Sequence, residues 1–127
     1  MNELKESIPN NFEDYAESSK TRRVCERLLQ ISIETVIDVC GLLAKELALG
    51  TPSDEDDVFE KLKVKKFISS TMLETLKKMK GFRNILVHRY AEVDDELVFE
   101  FLKNDIKDFE TFKKEILAFL KGNKIKK

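Results

Sequence analysis

Between residues 19 and 49 the chain runs without a proline, and Leu29, Ile33, Val36, Cys40, Leu43 and Leu47 recur at alternating spacings of four and three. That is the period of a helix with one apolar seam. Val24, Leu28, Ile31, Val39 and Leu42 widen the seam into a broad arc, while Arg27, Gln30, Glu34, Asp38 and Lys45 mark the polar side. A helix of this length measures about 45 Å, longer than the ~30 Å diameter of a small domain. The rest of the chain must therefore pack along it as further helices. An arc this wide also exceeds what one small bundle covers, so a symmetric homodimer is expected.

The remaining segments read as shorter helices. Gly50-Thr51-Pro52-Ser53 stops the long one, with Gly50 expected at the C′ position. Ser53 or Asp54 can cap the next, Glu55, Asp56 and Asp57 suit its positive end, and Val58, Phe59 and Leu62 form its apolar face. Residues 69–71 supply another cap, with Thr71 and Glu74 spaced as a capping box, and a helix is expected over about 71–90. Asp94, Asp95 and Glu96 open a last helix. Its stripe runs through Val98, Leu102, Ile106, Phe109, Phe112, Ile116 and Phe119 to about Lys121, where Gly122 is expected to end it. Residues 1–11 form a polar arm broken at Pro9, and residues 122–127 a basic tail; Phe12, Tyr15 and Ala16 suit a short helix or a packed arm. The expected fold is all-α: one domain over residues 1–127, built as an up-down bundle of about four helices.

Composition narrows the function classes. The chain has 127 residues, 42% of them apolar and 37% charged, with four glycines, two prolines and a net charge of −1. That length suits one domain with a real core. No overall basic field advertises nucleic acid. No apolar run reaches the ~20 residues of a membrane span, and residues 1–9 lack the apolar stretch of a secretion signal; a cytoplasmic protein is expected. Cys25 and Cys40 would lie about 22 Å apart on one helix, too far for a disulfide. Glu34 and Asp38 could share a cation, but with a single histidine the ligand set is thin, so neither metal nor cofactor is expected. There is no glycine-rich phosphate loop, Ser-His-Asp pattern or CxxC pair.

Residues 71–90 contain what packing does not explain. On a wheel of 100° per residue, Met72, Leu76, Met79, Leu86 and Val87 share the core-facing arc. Arg83 falls in the middle of it, with Tyr90 aligned seven positions on. A buried arginine must be paired or line a cleft; Glu34 or Asp38 could pair with it. Lys77, Gly81, Asn84 and His88 form a polar stripe on the other side. Gly81 costs roughly 1 kcal/mol in a helix interior, which close approach of a second chain or a ligand would explain. Taken singly, each residue has a plain reading: His88 at the surface, Arg83 in an ion pair, Tyr90 half-buried.

The contiguous string Gly81-Phe82-Arg83-Asn84-Ile85-Leu86-Val87-His88-Arg89-Tyr90 resembles the signature of the HEPN superfamily. That signature is an arginine, usually a polar residue after it, and then a histidine. A tyrosine two places beyond the histidine looks like the HepT branch, the toxin half of HepT–MntA toxin–antitoxin systems. Asp14-Tyr15, residues 26–31, Ile33-Glu34, Ile37-Asp38, Val58-Phe59 and Leu62 extend the resemblance over about residues 12–120, while the region before Phe12 looks shorter than the first helix typical of the branch.

The resemblance implies a metal-independent endoribonuclease with Arg83 and His88 as catalytic residues in a homodimer cleft, Asn84 in support and RNA as substrate. It also implies a MntA-like nucleotidyltransferase antitoxin that adds AMP to Tyr90. Its alternative is a non-catalytic HEPN-type nucleotide-binding module partnering a nucleotidyltransferase. The residue types suit the nuclease reading. RNA cut by its own 2′-OH needs a base, an acid and positive charge at phosphorus. Arginine brings a permanent, phosphate-matching fork, and an imidazole titrates near pH 6.5. One chain offers one histidine, and on a straight helix Arg83 and His88 point about 140° apart; a site shared across a two-fold axis answers both.

Overall fold

The computed structural model describes residues 2–88 and 94–123, and every regular element among them is a helix. In chain order these are α1 (Asn2–Ser7), α2 (Phe12–Glu17), α3 (Ser19–Glu46), α4 (Glu55–Val64), α5 (Ser70–Val87), α6 (Asp95–Asn104) and α7 (Lys107–Asn123). The all-α class expected from the sequence holds. The described helices number seven rather than about four because the amino-terminal arm folds into two short helices and the last long stripe divides.

The spine is α3. Cys25, Leu29, Ile33, Val36, Cys40 and Ala44 are buried along it, and α1, α2, α4, α5 and α6 all pack on it. The polar arm is anchored by Leu4, which is buried in the common core. In α2, the Asn11 side chain caps the helix by accepting from the Asp14 amide at 2.8 Å. Tyr15 is then buried against Phe99 of α6, with ring centroids 5.4 Å apart. Ser18 closes α2 and caps α3 at once, accepting from the Thr21 amide.

The end of α3 differs from expectation. The helix stops at Glu46, and Ala48 rather than Gly50 takes the left-handed C′ position at φ 51°. The Ala48 amide donates to Lys45 O and the Leu49 amide to Ala44 O, both at 3.1 Å, the paired closure of a Schellman turn. Leu49, packed on the core, supplies the apolar contact that fixes the turn two residues early. Gly50 then uses its own positive φ of 94° to redirect the chain.

Asp54 caps α4 by accepting from the Asp57 amide at 2.8 Å, and the Asp57 carboxylate returns to the Ser53 amide at 2.9 Å. The cap of α5 is Ser69, whose hydroxyl accepts from the Met72 amide. Its acidic partner is not Glu74 but Glu115 of α7, which takes the Ser69 amide at 2.9 Å and the Ser69 hydroxyl at 3.1 Å. The expected single helix over residues 94–121 breaks at Asp105. Asn104 and Asp105 are weak helix formers, and the Asp105 carboxylate is drawn to Lys78 of α5 at 2.8 Å. Beyond this bend α7 runs through Gly122 to Asn123 instead of ending at the glycine.

The arc of α3 is wider than this bundle covers. Leu28 and Val39 pack on the core, but Val24, Ile31 and Leu42 remain exposed, Leu42 by 61%. A groove of about 650 Å³ between α3 and α7 is lined by Ile31, Val39, Phe109, Phe112 and Leu117. No helix among the described residues is long and apolar enough to cross a membrane.

Candidate functional site

The site is carried by the carboxy-terminal half of α5. Met72, Leu73, Leu76, Met79, Phe82 and Leu86 are its buried face, so the core arc lies one position away from the wheel reading. Phe82 turns inward against Phe101 of α6, ring centroids 4.6 Å apart, and Val87 turns out to solvent. This rotation moves Arg83 from the middle of the core arc to its edge, facing α4.

There Arg83 meets an acid. Its Nη2 donates to Glu55 Oε1 at 2.5 Å and its Nε to Asn84 Oδ1 at 2.9 Å. The arginine side chain is only 16% exposed and that of Glu55 40%. The expected partners Glu34 and Asp38 are not used. Glu34 accepts from Gln30 at 3.4 Å on α3, and Asp38 lines a cleft of about 570 Å³ together with Gly41, Leu42, Lys45 and Glu55. Glu55 was legible in the sequence only as an acidic residue suited to a helix start. A partner 28 positions away leaves no local trace.

The Glu55–Arg83 pair is one rung of a seam between α4 and α5. Asp56 meets Lys80 at 2.8 Å and Glu60 meets Lys77 at 3.4 Å, so acids at 55, 56 and 60 face bases at 83, 80 and 77 in antiparallel register. The acids in the first turn of α4 also sit at the positive end of its dipole, a favourable place for negative side chains.

His88 stands at the C-cap of α5, exposed, with φ −92° and ψ 78°, its amide donating to Asn84 O at 2.9 Å. Asn84 is thus tied to both site residues: its side chain to Arg83 and its carbonyl to the backbone of His88. The His88 backbone lies about 7.5 Å further along the axis than that of Arg83, one position past the last helical residue. Arg83 and Asn84 are brought into direct contact; His88 is held at the same helix end by the backbone. Tyr90, the fourth expected site residue, lies outside the described residues. A Cβ placed on Gly81 would meet nothing within 4 Å, so none of the described elements makes the close approach that the glycine suggested.

Chemically, the guanidinium has its Nε and Nη2 side engaged, while no acceptor among the described residues takes Nη1. That leaves donors suited to an anion on a partly desolvated cation, in the helix that ends at the exposed His88. Elsewhere the reactive side chains are quiet: Cys25 and Cys40 are buried, and burial pushes the Cys40 thiol up to about 12.

Comparison with known proteins places these features in company. The family model described as ribonuclease HepT-like matches residues 1–116. The chain is 34% identical over 84 residues to the mRNA nuclease HepT of Shewanella oneidensis, an alignment spanning 66% of this chain but only 63% of that protein. It is 23% identical over 120 residues to the tRNA nuclease HepT of Aphanizomenon flos-aquae, covering 94% of this chain and 82% of that one. Its fold superposes on the solved structure of tri-AMPylated Shewanella oneidensis HEPN toxin in complex with MNT antitoxin. There the TM-score is 0.83 and the identity 27%, over 91% of this chain and 87% of that one.

Proposed function

The chain belongs to the HepT-like ribonuclease family, and from that premise we propose that it is a metal-independent endoribonuclease, the toxin of a toxin–antitoxin pair. The observation that carries the reading is the half-buried Arg83 fork, steadied by Asn84 and Glu55 with Nη1 unengaged among the described residues, in the helix that ends at His88.

The reaction follows from the residue types. The ribose 2′-OH attacks the adjacent phosphorus while a neutral imidazole takes its proton. Negative charge gathers on the phosphorane oxygens, where the arginine fork stabilises it. The 5′-oxygen leaves with a proton from an imidazolium, giving a 2′,3′-cyclic phosphate and a 5′-hydroxyl end. Arg83 supplies the cation, His88 the proton transfer and Asn84 the orientation of the arginine. Two imidazoles serve best as base and acid, and a symmetric homodimer that apposes the His88 ends supplies both. The apolar surface left over on α3 gives such a pairing something to bury.

Regulation is proposed at Tyr90. AMP groups attached there by a MntA-like nucleotidyltransferase would bring phosphates toward Arg83 and compete with RNA for the guanidinium. The setting proposed for the pair is the cytoplasm.

The test uses the purified chain and RNA in the presence of a chelator, with Arg83→Ala and His88→Ala variants. Cleavage that each substitution abolishes is expected; mixed Arg83→Ala and His88→Ala dimers keep one guanidinium and one imidazole on opposite chains, and partial recovery there is expected of a site shared across the two-fold. Nucleotide binding without cleavage would instead favour a non-catalytic module. Mass spectrometry after incubation with the nucleotidyltransferase and ATP should find AMP on Tyr90 and none on Tyr90→Phe.

A further inference from the structure

The five N–H groups of an arginine lie on distinct edges of a flat fork, and which edge meets a ligand decides the geometry it can stabilise. In Arg83 the side edge, Nε and Nη2, is held by two acceptors on two different elements: Asn84 Oδ1 from its own helix and Glu55 Oε1 from α4. Two grips on one edge fix both the plane and the rotation of the guanidinium. Nη1 is left without an acceptor among the described residues.

Glu55 is itself restrained. It occupies the first position of α4, whose start is capped by Asp54. The neighbouring Asp56–Lys80 pair at 2.8 Å ties the same turn to the same stretch of α5. We propose that Glu55 is a positioning residue for the ribonuclease reaction: its carboxylate holds the side edge of Arg83 so that the Nη1 edge is aimed at the phosphate. This rests on the ribonuclease reading above. A carboxylate on one edge and a phosphodiester on another are compatible, because the fork has donors for both. Glu55 thus directs the arginine without vacating its place when RNA arrives.

The consequence is specific. A misaimed fork still attracts RNA by charge but no longer meets the phosphorane. Loss of aim by about 1 Å costs on the order of a hundredfold in rate. Glu55→Ala is therefore expected to lower kcat by roughly ten- to a hundredfold with KM within about twofold. Glu55→Gln keeps an oxygen acceptor at the same reach and should restore most of the lost kcat. Asp56→Asn breaks the neighbouring rung without touching Arg83 and should leave kcat at the wild-type value.

An unchanged kcat in Glu55→Ala, a rise in rate, or a tenfold lower KM at constant kcat would overturn the proposal, the last two marking the carboxylate as a competitor of RNA. So would a Glu55→Gln chain no better than Glu55→Ala. A loss in Asp56→Asn equal to that in Glu55→Ala would assign the effect to docking of α4 instead. A readout independent of catalysis separates this inference from the reading beneath it. By nitrogen-15 NMR of arginine side chains, the Arg83 Nη groups should rotate slowly in the wild type and in Glu55→Gln, and freely in Glu55→Ala. If the wild type cuts no RNA, the ribonuclease reading fails, and equally free rotation in the wild type would sink the positioning role as well.

Discussion

Replacing Arg83 by methionine separates the two jobs an arginine at a helix–helix seam can have. Methionine keeps an unbranched stem of similar reach and removes only the charged fork. What is lost to stability is the Glu55 pair, whose acid is 40% exposed, and a hydrogen bond to the exposed Asn84. A solvent-screened pair of this kind contributes about 0.2–1 kcal/mol. At roughly 2.1 cal/mol/K per residue, a chain of 127 residues unfolds with an entropy of about 270 cal/mol/K, so 1 kcal/mol shifts Tm by about 4 °C. Arg83→Met should therefore melt within about 4 °C of the wild type by circular dichroism. Removing a transition-state electrostatic partner costs about 10²–10³ in rate, and RNA cleavage should fall by at least that factor. A structural arginine gives the reverse. Breaking a fully buried pair costs about 3–5 kcal/mol, so a Tm loss of about 12 °C or more, with cleavage within fivefold of wild type, would refute the functional assignment.

Other features of the bundle give their own tests. Glu115→Ala removes the carboxylate that takes both donors of the α5 cap residue Ser69; a loss of about 1 kcal/mol is expected. A double-mutant cycle with Ser69→Ala should show coupling, and strict additivity would deny the cap. The Tyr15 hydroxyl is buried with no hydrogen-bond partner among the described residues, and burial with nearby Glu26 raises its pKa. Tyr15→Phe should gain about 1 kcal/mol, whereas a comparable loss would reveal a partner for the hydroxyl. Burial, then Asp105, raises the Asp108 carboxyl above 3.8 against the pull of Lys78 and Lys107. A raised folded-state value gives stability that is present in acid and lost as pH climbs through it. Asp108→Asn should therefore be the more stable chain at pH 7, the gap closing toward pH 3; a less stable variant at pH 7 contradicts that sign. Cys25 and Cys40 should resist thiol reagents in the native protein and react fully in guanidinium; rapid native labelling would contradict their burial.

The sequence discloses what repeats within a helical turn and conceals what depends on a distant neighbour. The seam of α3 is readable because Leu29, Ile33, Val36 and Cys40 bury themselves at the spacing that the helix itself imposes. The start of α4 is readable because Asp54 and Asp57 are three residues apart, so that the Asp54 carboxylate takes the Asp57 amide. The cap of α5 is misread for the same reason reversed: Thr71 and Glu74 have the right local spacing, yet the acid that serves Ser69 arrives from α7, 46 residues later. The stripe from Val98 to Phe119 keeps helical spacing across Asp105, so periodicity alone cannot reveal a break that depends on Lys78 of another helix.

Arg83 shows both sides of this divide. A charge among apolar positions is visible on a wheel, and so is the need for a partner. Which acid answers depends on the rotation of α5, and that is set by Phe82 meeting Phe101. One apolar contact thus decides that Arg83 faces Glu55 rather than Asp38. The surplus apolar arc of α3 belongs to the same argument. Leu42 and Ile31 lie on the spine where periodicity puts them, but the described helices leave them exposed. On the proposed reading, the apolar excess that the described helices leave exposed on α3 is surface for a second copy to cover.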